Sequence, residues 1–131
     1  MRNATMFKTT TSFPGRKLAA RVAHHETQAE AERAACYWPN SETTIEQVEV
    51  GIFEIGDQVA VELHRGSVEN DDGIRSGGQW VQARGVVREV MGNGAFQNCM
   101  LCDADGRHIQ VMSTIAGVNG YPYRNAQLVA A

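Results

Sequence analysis

The strongest constraint on this chain is an alternation of apolar and polar residues that runs, with interruptions, from residue 45 to residue 113. Successive side chains of a β-strand point to opposite faces, so a period of two indicates strands with one buried face. In residues 58–64, the side chains of Val59, Val61 and Leu63 would face a core and the side chains between them the solvent. The alternation therefore predicts a mainly β fold.

Turn sequences divide this alternation into short segments. The predicted strands are residues 45–53, 58–64, 80–90, 96–102 and 107–113. The predicted connections are a Gly56-Asp57 turn, a polar loop with four glycines over 66–78, and hairpin turns at 91–94 and 103–106. We expect Gly85 to lie at a bulge, and Ile109 and Val111 to face the core.

The first third of the chain predicts a strand over residues 7–13 and one short helix over about 28–38. The pattern of residues 17–23 fits either a strand or a helix, and the helix start that follows favours a strand. Thr27 and Glu30 have the spacing of a capping box, in which the threonine hydroxyl accepts from the Glu30 amide. Alanines and Trp38 share one face of this helix. We predict a single domain over 1–131, in which residues 1–43 pack on a β layer of 44–119 and residues 120–131 form a tail.

Length and composition narrow the class of protein. A chain of 131 residues with 43% hydrophobic and 21% charged residues is typical of one globular domain. No apolar run is long enough for a membrane span, and residues 1–13 lack the apolar region of a signal peptide. Three cysteines argue against a disulfide framework and for a reducing compartment, so we predict a cytoplasmic protein.

Charge is segregated along the chain. Residues 1–25 carry five basic and no acidic side chains, whereas residues 26–72 carry twelve acidic side chains against two arginines. The basic start could neutralise the acidic middle, or an acidic face could remain to attract a basic partner or mimic nucleic acid. A net charge of −3 is unlike the basic stripe of a dedicated DNA-binding domain.

Several short motifs in the second half occur together. They are Gly56-Asp57-x-Val59, Trp80, Ala83-Arg-Gly-Val-Val-x-Glu-Val90, Asp103-Ala-Asp-Gly106 and Ile115. This part of the chain, about residues 51–116, resembles the SH3-like barrels of the Tudor and KOW type. The resemblance implies a small SH3-like barrel or strongly bent antiparallel sheet, and a binding module rather than an enzyme. The lysine-rich loops expected of a KOW module that binds nucleic acid are absent from the sequence.

Three motifs could belong to a metal site or a catalytic site, but each is better explained by a structural role. Cys99 and Cys102 form a single C-x-x-C pair inside a predicted strand, where a zinc site would need about four converging ligands. His24 and His25 have no recognisable nucleophile beside them, and Asp103 opens a hairpin turn without the glutamate of an EF-hand loop. We therefore predict no catalytic residue, no metal and no cofactor.

Aromatic and charged residues supply the candidate binding site. Trp80, Tyr121 and Tyr123 flank the glycine-rich loop and the chain end, and Asp71 and Asp72 lie in that loop. The resemblance to SH3-like barrels implies that aromatic residues at such positions line a groove or cage for a proline-rich segment or a cationic side chain, and the two aspartates would favour a cation. The alternative is that Trp80 anchors the core and the tyrosines lie on its rim.

Two further arginines, Arg84 and Arg88, share the outer face of one predicted strand and could bind a carboxylate or phosphate, or only solubilise that face.

Three hypotheses about function remain. The first is a non-catalytic binding module that binds a protein or peptide through the aromatic and acidic surface. The second is a nucleic-acid-associated protein that uses basic residues on one face: Arg16, Lys17, Arg21, Arg84 and Arg88. The third is a small metal protein or enzyme. An exposed sheet edge at Ile115 and Val118 would allow two chains to pair as a homodimer.

Overall fold

A computed structural model describes residues 1–92, 97–118 and 122–129. In chain order its elements are β1 Arg2–Ser12, β2 Arg21–His25, α1 Gln28–Ala35, β3 Glu42–Ile52, β4 Gln58–Glu69, β5 Arg75–Met91, β6 Asn98–Cys102, β7 His108–Ser113 and β8 Tyr123–Leu128. The prediction of a mainly β fold with one short helix near the N-terminus is confirmed.

The described residues divide into two compact units. One contains residues 3–50, with β1, β2, α1 and most of β3. The other contains Met1, Arg2 and the described residues from Gly51 onward. The single domain over 1–131 stays a prediction.

In the unit of residues 3–50, three strands form a sheet in the order β2-β1-β3. β1 and β2 are antiparallel, with Phe7 opposite His25 and Thr11 opposite Arg21. The strand predicted over 17–23 is therefore shifted along the chain, because residues 17–20 have no regular structure and pairing begins at Arg21.

The helix begins where the sequence predicts. Thr27 is its N-cap, and the Thr27 hydroxyl accepts a hydrogen bond from the Glu30 amide at 3.2 Å. The predicted end at residue 38 is wrong, because the helix stops at Ala35 and turns follow over residues 36–40. Trp38 is therefore not part of the helix and does not share a helical face with the alanines.

The second unit contains a five-stranded antiparallel sheet in the order β7-β6-β5-β4-β8. Within the described residues the sheet is open, with β7 and β8 as its edge strands. The segment predicted as a tail supplies one of these edges, since β8 pairs with β4 from Leu128 opposite Val59 to Tyr123 opposite Leu63.

Two contacts show that this sheet is strongly curved. Arg65 of β4 donates from Nη2 to the carbonyl oxygen of Ile109 in β7, at 3.3 Å. In a flat sheet these strands would be about 14 Å apart, at three strand spacings. The Tyr123 hydroxyl of β8 accepts from the Ser113 amide at the end of β7, at 3.1 Å. The bent antiparallel sheet of the prediction is thus observed as an open sheet whose two edges approach each other.

The core of the sheet is built from the predicted inward positions of β4. Val59, Val61 and Leu63 are all buried. They pack in one cluster with other buried residues: Phe53, Val87, Cys99, Leu101, Met112 and Ala126.

Two predictions about this sheet are wrong, one about the orientation of a side chain and one about the position of a bulge. Val111 is 42% exposed, because a register shift opposite Leu101 and Cys102 offsets β7 and places Met112 opposite the buried Cys99. The bulge in β5 lies at Arg88, between the pairs of Val87 and Glu89. Gly85 instead keeps regular pairing with Val59, in close contact with the backbone of β6.

The loop predicted over 66–78 is largely a β-hairpin. β4 and β5 remain paired out to Glu69 and Arg75, so only residues 70–74 form the connection. Gly66 and Gly78 lie between the Arg65–Gln79 and Ser67–Gly77 pairs, with φ values of 82° and 79°. Glycine reaches this left-handed region without steric cost, so the ribbon can bend there. We call residues 67–77 the hairpin arm.

Two further predictions concern residues that lie partly or wholly outside the described part of the chain, and a third is wrong. The hairpin turn predicted over 91–94 falls partly, and Tyr121 wholly, outside that part. Ile115 is buried and bridged to Ile52, and Val118 is half-buried, so the expectation of an exposed edge at Ile115 is wrong. In the described part of the chain, no helix has the length and apolar character to cross a bilayer.

Candidate functional site

Trp80, the centre of the predicted aromatic site, is half-buried and already contacts two side chains. The His64 ring packs edge-on against it, with centroids 5.2 Å apart and planes at 73°. The guanidinium carbon of Arg124 lies 3.9 Å from the centroid of the indole ring. Trp80 therefore binds a cation supplied by its own chain, as expected for a cation–π contact.

Glu62 holds Arg124 in that position. Glu62 Oε2 accepts from Arg124 Nε at 2.8 Å and from Asn125 Nδ2 at 2.7 Å, and Glu62 Oε1 accepts from Gln82 Nε2 at 3.1 Å. Glu62 thus links β4 to β5 and to β8. The Arg124 hydrogen bond, followed by that of Asn125, lowers the pKa of the Glu62 carboxyl.

The other predicted site residues do not gather around Trp80. Tyr123 packs against the core, and its hydroxyl is used by the Ser113 amide. Asp71 and Asp72 lie in the turn at the end of the hairpin arm, and the part of β5 from Arg75 to Trp80, about 17 Å of strand, separates that turn from Trp80. The aromatic and acidic parts of the predicted site are therefore separate.

Arg84 and Arg88 are both exposed on β5, as predicted. Arg84 pairs opposite Ala60, and Arg88 occupies the bulge. The other three basic residues of the nucleic-acid hypothesis, Arg16, Lys17 and Arg21, are exposed in the unit of residues 3–50. The five residues are thus divided between the two units.

A groove of about 560 Å³ adjoins the Glu62 network, and we call it the β4–β8 groove. It lies where β8 departs from regular pairing between Ala60 and Glu62, beside Asn125, whose φ is 55°. Apolar, mostly small residues and polar side chains line it: Ala60, Val61, Glu62, Gln82, Ala116, Gly117, Asn125, Ala126 and Gln127. Sequence reasoning missed this groove, because its residues come from β4, β5 and the segment read as a tail.

The cysteines and histidines have structural surroundings. Cys99 and Cys102 are buried, as predicted, and burial raises the pKa of the Cys99 thiol to about 11, so its thiolate is scarce at neutral pH. His25 Nε2 lies 3.1 Å from the Thr9 hydroxyl, and burial lowers the pKa of His24. Among the described residues, no group of three His, Cys, Asp or Glu side chains could hold a metal ion.

The hairpin turn predicted at Asp103 is confirmed. Asp103 Oδ1 accepts from the amides of Asp105 and Arg107, both at 2.9 Å, and the Asp103 amide donates to the Arg107 carbonyl. The carboxylate is therefore occupied in shaping the turn, an arrangement typical of Asp at this position.

The basic side chains of residues 1–25 form no close ion pair with the acidic segment of residues 26–72, all of which the structure describes. Within the described residues, ion pairs join the Met1 amine to Glu54 and Asp57, Arg75 to Glu69, and Arg124 to Glu62. No basic side chain of residues 1–25 belongs to this set. From residues 1–25, only the Met1 amine forms a close ion pair with the acidic segment among the described residues.

Replacing Glu62 with glutamine should change how stability depends on pH. A lowered folded-state pKa favours the carboxylate, so Glu62 stabilises the fold above its ordinary pKa of 4.5, and this contribution disappears as the pH falls through the lowered value. The free energy of unfolding should be measured in urea from pH 3 to 7. We expect the wild-type value to exceed that of Glu62→Gln by the largest amount above pH 4.5, and the difference to shrink as the pH falls.

Glu89→Gln is the matched control, since Glu89 is exposed and has no ion pair among the described residues. That variant should follow the wild type across the range. A difference between wild type and Glu62→Gln that is independent of pH would contradict the assigned role of the carboxylate.

Comparison with known proteins adds no relative. No protein family matches the chain, and neither the curated proteins nor the solved structures contain a significant match.

Proposed function

We propose that the chain is a non-catalytic binding module whose five-stranded sheet binds an extended peptide segment in the β4–β8 groove. The observation that carries the proposal is the groove itself, which combines small residues with a rim of carboxylate and amide side chains. Its volume of about 560 Å³ lies within the range of ligand pockets, roughly 300–1,000 Å³.

The chemistry of the rim suits a polypeptide backbone. Gln127 offers an amide group that can both donate and accept, as a backbone requires, whereas the amide nitrogens of Gln82 and Asn125 already donate to Glu62. The small side chains of Ala60, Ala116 and Gly117 leave room for the ligand's own side chains.

The strand order supports a place among SH3-like folds. β4 to β7 form a meander, and β8 returns to pair with β4, which gives a strongly curved sheet with one edge beside the other. The resemblance of residues 51–116 to Tudor and KOW domains, which are binding modules, agrees with that order. We propose SH3-like architecture for this unit on these two grounds.

The cell compartment is a further part of the proposal. Cys36, Cys99 and Cys102 are all free thiols. Free thiols persist where glutathione and thioredoxin keep cysteines reduced, which supports the cytoplasm.

The test is selection from a phage-displayed library of random dodecapeptides, followed by fluorescence polarisation with the selected synthetic peptide. We expect enrichment of a peptide that binds the wild type and binds Ala60→Phe at least about tenfold more weakly, because the larger side chain fills the groove. Gln127→Ala, at an exposed position, should also weaken binding without affecting the fold.

Ala104→Phe is the matched control, since Ala104 is exposed in the β6–β7 turn and does not line the groove. It should bind like the wild type. Failure to enrich any peptide, or equal binding by Ala60→Phe and Ala104→Phe, would overturn the proposal.

A further inference from the structure

A second cavity lies within the unit of residues 3–50. It has a volume of about 330 Å³, and we call it the Arg21–Trp38 cleft. Arg21, Arg33, Tyr37 and Trp38 line it, together with the buried threonines of β1, Thr9 and Thr11. Cationic, aromatic and hydroxyl groups therefore surround one small space.

The two guanidinium groups are available to an anion. In the part of the chain that the structure describes, neither Arg21 nor Arg33 forms an ion pair with a carboxylate. The guanidinium carbon of Arg21 lies 4.8 Å from the centroid of the Trp38 ring. A guanidinium stacked on an aromatic ring uses its face, so the N–H donors in its plane can still bind a phosphate.

The aromatic groups are held in place but not covered. Trp38 packs edge-to-face with Phe13, at 5.9 Å between centroids, and with Tyr37, at 5.0 Å. The Tyr37 side chain is nevertheless 72% exposed, and that of Trp38 is 38% exposed. The Tyr37 ring stands at 83° to the Trp38 ring, so the exposed Tyr37 ring offers the face on which another flat ring can stack.

The threonines add hydrogen-bonding groups. The Thr11 hydroxyl lies 2.9 Å from that of Thr43, and the Thr9 hydroxyl lies 3.1 Å from His25 Nε2. A hydroxyl has one donor and two acceptor sites, so each retains capacity for a ligand.

From these groups we infer that the Arg21–Trp38 cleft binds a nucleoside phosphate. The base stacks on the exposed ring of Tyr37, beside Trp38, and the phosphate binds Arg21 and Arg33. A simple anion would leave the exposed rings unused, and a neutral ring would leave both arginines unused. A free mononucleotide and a nucleotide within a single strand share this chemistry.

Fluorescence of Trp38 tests the inference directly. The chain has two tryptophans, so Trp80→Phe leaves Trp38 as the sole reporter. In this background we expect saturable quenching by adenosine 5′-monophosphate. Adenosine and inorganic phosphate should each bind at least about tenfold more weakly, because each lacks one half of the recognised chemistry. Affinity for the monophosphate should fall with added salt.

Variants at the arginines separate binding from folding. Arg33→Ala and Arg21→Lys should each weaken monophosphate binding by about tenfold or more, since charge-assisted hydrogen bonds are strong and Lys lacks the planar fork. Arg16→Ala, at an exposed position outside the cleft, is the matched control and should bind normally. Unchanged circular dichroism melts would establish that the variants are folded.

Three results would overturn the inference: no saturable quenching by the monophosphate, normal binding by folded Arg33→Ala and Arg21→Lys, or tighter binding of O-phosphotyrosine than of the nucleotide. A tetranucleotide distinguishes the two sources. Tighter binding of the tetranucleotide than of the monophosphate supports a single strand as the natural ligand, and equal binding supports a free nucleotide.

Discussion

Replacement of Phe53 by alanine should lower the free energy of unfolding by about 3–5 kcal/mol. The Phe53 side chain is only 1% exposed and is among the largest buried side chains in the core on which the five-stranded sheet packs. Its removal would leave a cavity among close-packed neighbours that can relax only in part. Urea unfolding followed by far-ultraviolet circular dichroism measures the change.

A neighbouring residue provides the control. Ile55 is 66% exposed two positions along the chain, so Ile55→Ala should change the free energy of unfolding by less than about 0.5 kcal/mol. Equal effects of Phe53→Ala and Ile55→Ala would show that the core is not organised around Phe53.

Gly85→Ala should destabilise the protein by about 2–3 kcal/mol, although alanine adds only one methyl group. A Cβ atom at Gly85 would lie 2.6 Å from the carbonyl oxygen of Cys102 and 2.8 Å from Leu101 Cγ. The first obstacle is backbone of the neighbouring strand and the second is a buried core side chain, so neither can move away cheaply. Thermal unfolding should show a clearly lower midpoint.

A substitution at Gly51 tests whether the destabilisation comes from the atoms that the new methyl group meets rather than from the methyl group itself. The three atoms nearest to a Cβ at Gly51 would all belong to the Met1 side chain, with Sδ at 2.6 Å, and that flexible chain can turn aside. We expect Gly51→Ala to cost less than about 1 kcal/mol. If Gly85→Ala were as mild as Gly51→Ala, β5 and β6 would have to separate more easily than their pairing indicates.

The sequence predicted the strands well where one face is buried and the pairing is regular. Val59, Val61 and Leu63 follow the period of two, and all three are buried. The same reasoning failed at Val111, because a one-residue register shift exchanges the faces of a strand and leaves no mark in the alternation. Bulges are decided by the partner strand, which a local pattern does not contain.

Glycines misled the prediction over residues 66–78. Four glycines in thirteen residues are typical of a loop, yet Gly66 and Gly78 lie across from each other in a paired ribbon. Both glycines have positive φ values, and both lie between the same two residue pairs of the ribbon. The sequence pattern shows the glycines but not that they face each other across two strands.

The candidate site could be predicted only in part, because its contacts join distant segments. Trp80 was identified from its residue type, but its cation comes from Arg124, and Arg124 is held by Glu62, which is 62 residues away in sequence. β8 gave no signal, since Ala126 is its one fully buried residue and its other side chains are polar or partly exposed. Without β8, neither the occupied face of Trp80 nor the groove could be anticipated.

The hairpin arm offers a place to add sequence without cost to the core. Beyond Gly66 and Gly78 nearly every side chain is exposed, and the connecting turn at residues 70–74 closes on its own through Asn70 Oδ1, which accepts from the amides of Asp72 and Ile74. An epitope or fluorophore-binding tag inserted after Asp72 would extend the arm outward from the sheet of its own unit. Such a fusion would report on ligand capture in living cells from a single labelled chain.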